Sequence, residues 1–241
     1  MATPPLTPPP NRTPRKPTLV LPAGSIDSHV HLFGPVAKYP FAPNANYVSE
    51  DATDEMYFAL QQQLGLSRVV LVSGGGYGES YTHLTDTLKK WPDRMRGVVR
   101  LRSEFTDHEL EQLNAVGVRG ARYFGGAHRI PLTPEIASRI RNMGWHVQFF
   151  PGQDQLPDIA PFLLGLNVPI VFDHFAHVSA AGGANSRAFR TLCEMIDTGR
   201  VWVKISGPMR ITEEEPPYPS DTPLATALVR HAPERLLWGS D

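Results

Sequence analysis

The chain has 241 residues, 41% of them hydrophobic, and a formal net charge of −1. That size and core content suit one α/β barrel, a fold of about 250 residues, and the balanced charge offers no basic face for nucleic acid or an acidic membrane surface. No apolar run of about 18 residues is present, so no membrane span is expected, and the lone Cys193 forbids an internal disulfide, which fits a reducing cytoplasm.

Residues 1–24 differ from the rest. They are rich in proline and carry Arg12, Arg15 and Lys16 without an acidic residue. No apolar stretch makes a signal peptide of them, and the prolines oppose an amphipathic helix, so a disordered or polyproline-like tail is expected. From Ser25 to Asp241, β-like runs alternate with helical stretches. The runs are Ile26–Leu32, Arg68–Val72, Gly97–Leu101, Gly120–Phe124, His146–Phe150, Pro169–Phe175, Val201–Ser206 and Arg235–Ser240. Several, such as Val69-Val70-Leu71-Val72, are apolar on both faces, as in parallel strands covered by helices.

Between them, helices are expected over 54–64, 80–90, 154–164 and 186–198. Thr106 and Glu109 form a capping box ahead of Leu110, Leu113 and Val116, and Gly117 supplies the stop. Thr133-Pro134 reads as an N-cap and first helical residue before Ile136, Ile140 and Met143, and Thr222-Pro223 repeats the signal before Leu224 and Leu228. The order is that of a (β/α)8 barrel, with no eighth helix after the eighth strand. An open doubly wound sheet is the rival, but no Rossmann glycine fingerprint follows any strand, and Gly74-Gly75-Gly76 lacks the lysine of a phosphate loop.

Three strand ends carry candidate chemistry. Asp27-Ser28-His29-Val30-His31 closes the first strand, and alternation puts His29 and His31 on one side, where two imidazoles can chelate a metal or hold a substrate oxygen. Val171-Phe172-Asp173-His174 closes the sixth, with Ile170, Phe172 and His174 expected on one face. Leu237, Gly239 and Asp241 share a face of the eighth, which places an acidic residue at the strand's end as base or ligand. Each piece alone has a bland reading, as satisfied core histidines and an exposed carboxylate. The combination is far more specific.

Asp-x-His-x-His on the first strand, Asp173-His174 on the sixth and Trp238-Gly239-Ser240-Asp241 on the eighth resemble the amidohydrolase-2 branch of the amidohydrolase superfamily. The lactonases of that branch, which act on 2-pyrone-4,6-dicarboxylate and on sugar and muconolactones, are the nearest in pattern. His31-Leu32-Phe33-Gly34-Pro35, Tyr39-Pro40-Phe41-Ala42-Pro43-Asn44-Ala45, Gly117-Val118-Arg119-Gly120-Ala121-Arg122, Trp145-His146-Val147 and Val201-Trp202-Val203-Lys204 extend the likeness from about residue 25 to 241. The resemblance implies a hydrolase that opens a lactone with water activated by Asp241, while His29, His31 and His174 hold the substrate or polarise its carbonyl. It also implies carboxylate binding by Arg122 and Arg210, for which a guanidinium fork is suited.

Metal-dependent relatives add a histidine at the far end of strand five and a lysine on strand four. Here His146 begins strand five, and strand four ends Arg122-Tyr123-Phe124. A metal-free site is therefore expected, with His31, His174 and Lys204 as candidate oxyanion donors. The alternative is a single divalent ion such as zinc on His29, His31 and Asp241. The pattern also departs from the family at His177, where an arginine is usual, at Phe150 in place of a tyrosine, and near His128-Arg129. The loop ending in Tyr77 lacks polar groups. These changes point to a less charged lactone than a pyrone dicarboxylate, with His177 and Tyr77 beside Arg122, Arg210 and Lys204 in substrate contact. The expected partner is a small-molecule substrate; neither nucleic acid nor membrane is expected, and a homo-oligomer is compatible with an uncovered last strand. The rival readings are a metal-dependent decarboxylase on the same barrel and an inactive truncated barrel with Leu236 and Trp238 exposed.

Overall fold

A computed structural model describes residues 4–102, 104–125 and 132–241. Among them, eight strands alternate with seven α-helices: β1 (Ile26–Val30), α1 (Asp54–Leu64), β2 (Arg68–Val72), α2 (Thr82–Lys90), β3 (Met95–Val99), α3 (Asp107–Ala115), β4 (Val118–Phe124), α4 (Pro134–Asn142), β5 (His146–Phe150), α5 (Leu156–Gly165), β6 (Ile170–Phe172), α6 (Arg187–Asp197), β7 (Val201–Lys204), α7 (Thr222–His231) and β8 (Leu236–Leu237). This is the (β/α)8-barrel class without an eighth α-helix among the described residues. No helix there is long and apolar enough to cross a membrane.

The chain divides into two compact units. The first is residues 1–100 with 111–118, and the second is 101–110 with 119–241. In the first, β1, β2 and β3 pair in parallel and in order, with a register shift between Asp27 and Val30. Val69, Leu71, Val98, Leu84 and Leu88 are buried there. In this unit the backbone amide of Thr7 donates to Val48 and that of Val48 to Pro5, so the start of the proline-rich segment adds one extended bridge, and Arg12 pairs with Glu50 at 3.2 Å. Residues 8–22 have no regular structure and are mostly exposed, as their proline content dictates.

In the second unit β4 to β8 pair in parallel in chain order. Trp145, Tyr123, Phe172, Ile140, Leu163 and Leu192 fill its core. Gly120 opposes the His146 ring so closely that a Cβ would lie 2.6 Å from it, which is why a glycine stands in β4 at that point.

The helix signals are realised. The Thr106 hydroxyl accepts from the Glu109 amide at 3.1 Å, and the Glu109 carboxylate accepts from the Thr106 amide at 2.9 Å. Thr133 caps α4 by accepting from the Ile136 amide. Thr222 is one position off, because α7 begins on it and Asp221 precedes the helix. The expected strands at the sixth and eighth positions are too long. Backbone pairing ends at Phe172 and Leu237, where the chain turns into irregular structure.

Candidate active site

In the first unit the histidines lie at the carboxyl end of β1. His29 is fully buried, and its backbone amide donates to Asp27 Oδ1 at 3.1 Å. Asp27 Oδ2 accepts from the Tyr57 hydroxyl on α1 at 3.2 Å. Burial and the facing Asp27 push the Tyr57 phenol well above its usual range, so the hydroxyl stays a donor. His31 Nδ1 lies 2.9 Å from the Val72 carbonyl. A carbonyl only accepts, so Nδ1 carries the hydrogen and Nε2 presents a lone pair. That Nε2 is 3.3 Å from Nε2 of His29. A hydrogen on His29 Nε2, or a cation, must occupy the line between them.

Tyr77, expected at the substrate, is buried. Its hydroxyl accepts from the Gly34 amide at 2.8 Å, and its ring stacks on Phe41 and His83. It organises the aromatic wall that follows β1, with Phe33 and Tyr47. Burial raises its phenol to about 12.

The second unit holds a buried polar network. Asp173 is wholly buried, and its Oδ2 accepts from Arg122 Nε on β4 at 2.9 Å and from Gln148 Nε2 on β5 at 3.0 Å. Lys204, ending β7, donates to Gln148 Oε1 at 2.7 Å and faces Asp173 Oδ1 at 3.4 Å. Burial pulls the Lys204 ammonium down to about 8, against the opposing pull of Asp173. Burial likewise lowers His146 to about 4, aided by Lys204, so its imidazole is neutral. Arg122 and Lys204 are thus engaged inside the protein, at 7% and 2% exposure.

His174 adjoins this network. It is 2% exposed, with Nδ1 at 3.0 Å from Ser206 Oγ and Nε2 at 3.8 Å from Asp241 Oδ1. Burial lowers its pKa more than Asp241 and Asp173 raise it, which favours the neutral ring. Arg210 reaches Asp241 at 4.0 Å and is half exposed, so its other nitrogens are open to a ligand. His177 places Nδ1 at 3.0 Å from the Pro151 carbonyl and stacks on Phe150.

Alternation along the strand does not aim His174. His174, Phe175, Ala176 and His177 all have positive φ, between 48 and 56°. Such left-handed residues cost roughly 1–2 kcal/mol each and gather at functional sites. Asp241 is also left-handed, at φ 66°. Sequence reasoning missed Asp173, Gln148, Ser206 and Gly207 as parts of this arrangement. A signal existed for the first, since a carboxylate directly before the strand-six histidine is costly to bury without cationic partners. The expected contacts near His128-Arg129 lie outside the described residues.

Comparison with known proteins shows the family and the fold. The family model described as amidohydrolase matches residues 26–241. The chain belongs to the amidohydrolase family. The match takes in β1 to β8 and both histidine-bearing strand ends. A 2-pyrone-4,6-dicarboxylate hydrolase from Comamonas testosteroni is 34% identical over 95% of this chain and 79% of its own length. A 4-sulfomuconolactone hydrolase from Rhizobium radiobacter is also 34% identical, over 93% and 77%. A solved structure from Pseudomonas putida, a candidate 2-pyrone-4,6-dicarboxylic acid hydrolase, aligns with a TM-score of 0.75 at 30% identity, covering 92% of this chain and 83% of that one. An amidohydrolase from Burkholderia multivorans, solved with bound zinc, shares the fold at a TM-score of 0.68 and 21% identity, over 91% and 84%.

Proposed function

We propose that this amidohydrolase hydrolyses the lactone of a small organic acid, with Asp241 as the general base toward water. The observation that carries the reading is the Asp241 carboxylate beside the buried, neutral His174, 3.8 Å from its Nε2. Asp241 takes a proton from water as the water oxygen bonds to the acyl carbon. The ring C–O bond then breaks, and the proton returns to the departing oxygen, leaving an open-chain acid. His174 is the donor proposed for the carbonyl oxygen, whose charge grows in that step, and the strand-one histidines His29 and His31 are proposed to hold the substrate. Relatives that act on two different lactones support the bond type.

The second unit's cluster supports an anionic substrate. Arg122, Lys204 and Arg210 outnumber Asp173 and Asp241 by one charge. Arg210 is the exposed member and is proposed to meet a substrate carboxylate, with His177 beside it. Because Arg122 and Lys204 are engaged internally, their cationic effect on the substrate is exerted through the field of the network. A substrate less charged than a pyrone dicarboxylate fits this arrangement. The expected setting is the cytoplasm, with the free thiol Cys193 reduced.

A zinc ion also fits part of the site. The His29 and His31 Nε2 atoms are 3.3 Å apart, about the separation of two nitrogens bound to one tetrahedral ion, and the Val72 carbonyl behind His31 is the kind of outer contact that orients a ligating imidazole. Asp241 is the third ligand proposed for it. Such an ion would polarise the lactone carbonyl. The metal-free reading is preferred because strand five lacks the far-end histidine of metal-dependent relatives.

A pH-indicator assay over a panel of monocarboxylate lactones and the pyrone dicarboxylate, run with and without chelator, tests both points. Hydrolysis that survives chelation is the expected result. Loss to chelator with recovery on zinc replaces the metal-free mechanism. Turnover of the dicarboxylate alone overturns the substrate assignment, and loss of CO₂ in place of hydrolysis would make the chain a decarboxylase.

A further inference from the structure

We infer that Ser206 donates its hydroxyl hydrogen to His174 Nδ1 and so holds the imidazole with its own hydrogen on Nε2, facing Asp241. The catalytic consequence rests on the lactonase reading above; the hydrogen assignment does not.

The two ring nitrogens meet different chemistry. Nε2 faces a carboxylate at 3.8 Å, and an ionised carboxylate accepts but cannot donate. A neutral ring with its hydrogen on Nδ1 would turn the Nε2 lone pair toward those oxygens. Nδ1 faces a hydroxyl at 3.0 Å, which can serve either way. The arrangement that satisfies both sides places hydrogen on Nε2 and lets the serine donate. Among the described residues, Ser206 has no other side-chain hydrogen bond, and it is 3% exposed.

Gly207 reinforces the assignment. It has φ 57°, and a Cβ on it would sit 2.6 Å from His174 Nδ1 and 3.2 Å from Asp241 Oδ2. The backbone after β7 therefore presses against the ring, and the Ser206 hydroxyl is the polar group delivered to Nδ1. His177 provides an internal contrast. Its Nδ1 faces the Pro151 carbonyl, which forces the hydrogen onto Nδ1. Two histidines three positions apart in one left-handed turn should thus carry opposite tautomers.

The consequence is a fixed N–H donor beside the general base. A donor oriented before the reaction stabilises a growing oxyanion without reorganisation, whereas a ring free to exchange tautomers offers a lone pair part of the time. Ser206 is a positioning residue that acts through His174.

The test is a long-range ¹⁵N–¹H correlation spectrum of the whole chain with ¹⁵N-labelled histidine, assigned with His174→Gln and His177→Gln. The expected pattern is hydrogen on Nε2 of His174 and on Nδ1 of His177. Ser206→Ala should move His174 to mixed tautomers and lower kcat on the best lactone by roughly 10- to 100-fold, with KM changed less than about 2-fold. Ser206→Thr keeps a hydroxyl and should restore both. Hydrogen on Nδ1 of His174 in the unmodified protein overturns the inference, as does a Ser206→Ala spectrum identical to it. A shifted tautomer with unchanged kcat removes the catalytic consequence. A chain without lactone hydrolysis defeats the functional reading, and the spectrum still decides the hydrogen assignment, as it does if Ser206→Ala fails to fold.

Discussion

The two units hold their histidines by different means. After β1, His31 is fixed by a backbone carbonyl and the His29 backbone by a single carboxylate, Asp27, which is itself steadied by Tyr57. After β6, His174 is fixed by a side-chain hydroxyl, beside a buried carboxylate that serves two cations. The Val72 carbonyl does not titrate and the Tyr57 phenol is held well above its usual range, so these contacts keep their geometry around neutral pH. The second has several ionisable groups away from water, where removal of one partner leaves the others uncompensated. Mutational cost should therefore concentrate in the second unit.

The largest effect tests whether the second unit also carries the chemistry. Asp241→Asn keeps shape and removes the base. It is expected to lower kcat on the best lactone by about 10²- to 10⁴-fold with the folded spectrum retained. A variant within a few-fold of the parent would transfer the base to another residue. Next is Asp173→Asn, which strands Arg122 and Lys204 beside a neutral amide. A loss of roughly 3–5 kcal/mol in urea unfolding is expected. The matching change in the first unit, Tyr57→Phe, deletes one donor to Asp27 and should cost about 1.5–3 kcal/mol. Equal losses in the two variants would erase the contrast between the units.

Much of this was legible in the amino-acid sequence, and the exceptions have physical causes. Helix ends at Thr106–Glu109 and Thr133 were readable because capping is local, fixed by residues three apart. The helix over 54–64 was placed to the residue. The His29–His31 pairing survived although His31 lies just past the strand, since i and i+2 in extended backbone share a side. His174 and Asp241 were found by motif, although both lie past the paired strands in left-handed backbone, where strand alternation does not by itself set a side chain's direction. The partners of Arg122 and Lys204 were hidden for another reason. They come from β4, β5, the turn after β6, and β7, so only the folded arrangement reveals that these cations serve Asp173.

The smallest effect is the most particular to the second unit, and its sign follows from Lys204. Its pKa is depressed from 10.5 to about 8 in the folded protein. Between those values the unfolded chain binds the proton and the folded chain has released it, so unfolding takes up a proton and stability rises with pH. The contribution is fully present above 10.5 and is lost as pH falls through about 8. Tyr57 and Tyr77 act oppositely, because raised phenol pKa values withdraw stability as pH climbs past about 10. The parent curve alone therefore mixes the two units. Lys204→Met separates them, since it deletes the ammonium and leaves both phenols. Urea midpoints at pH 7.5 and 10 should show the parent gaining on Lys204→Met as pH rises. Parallel curves would mean that Lys204 titrates alike in both states, and that the cost of burying it is met in full by Gln148 and Asp173.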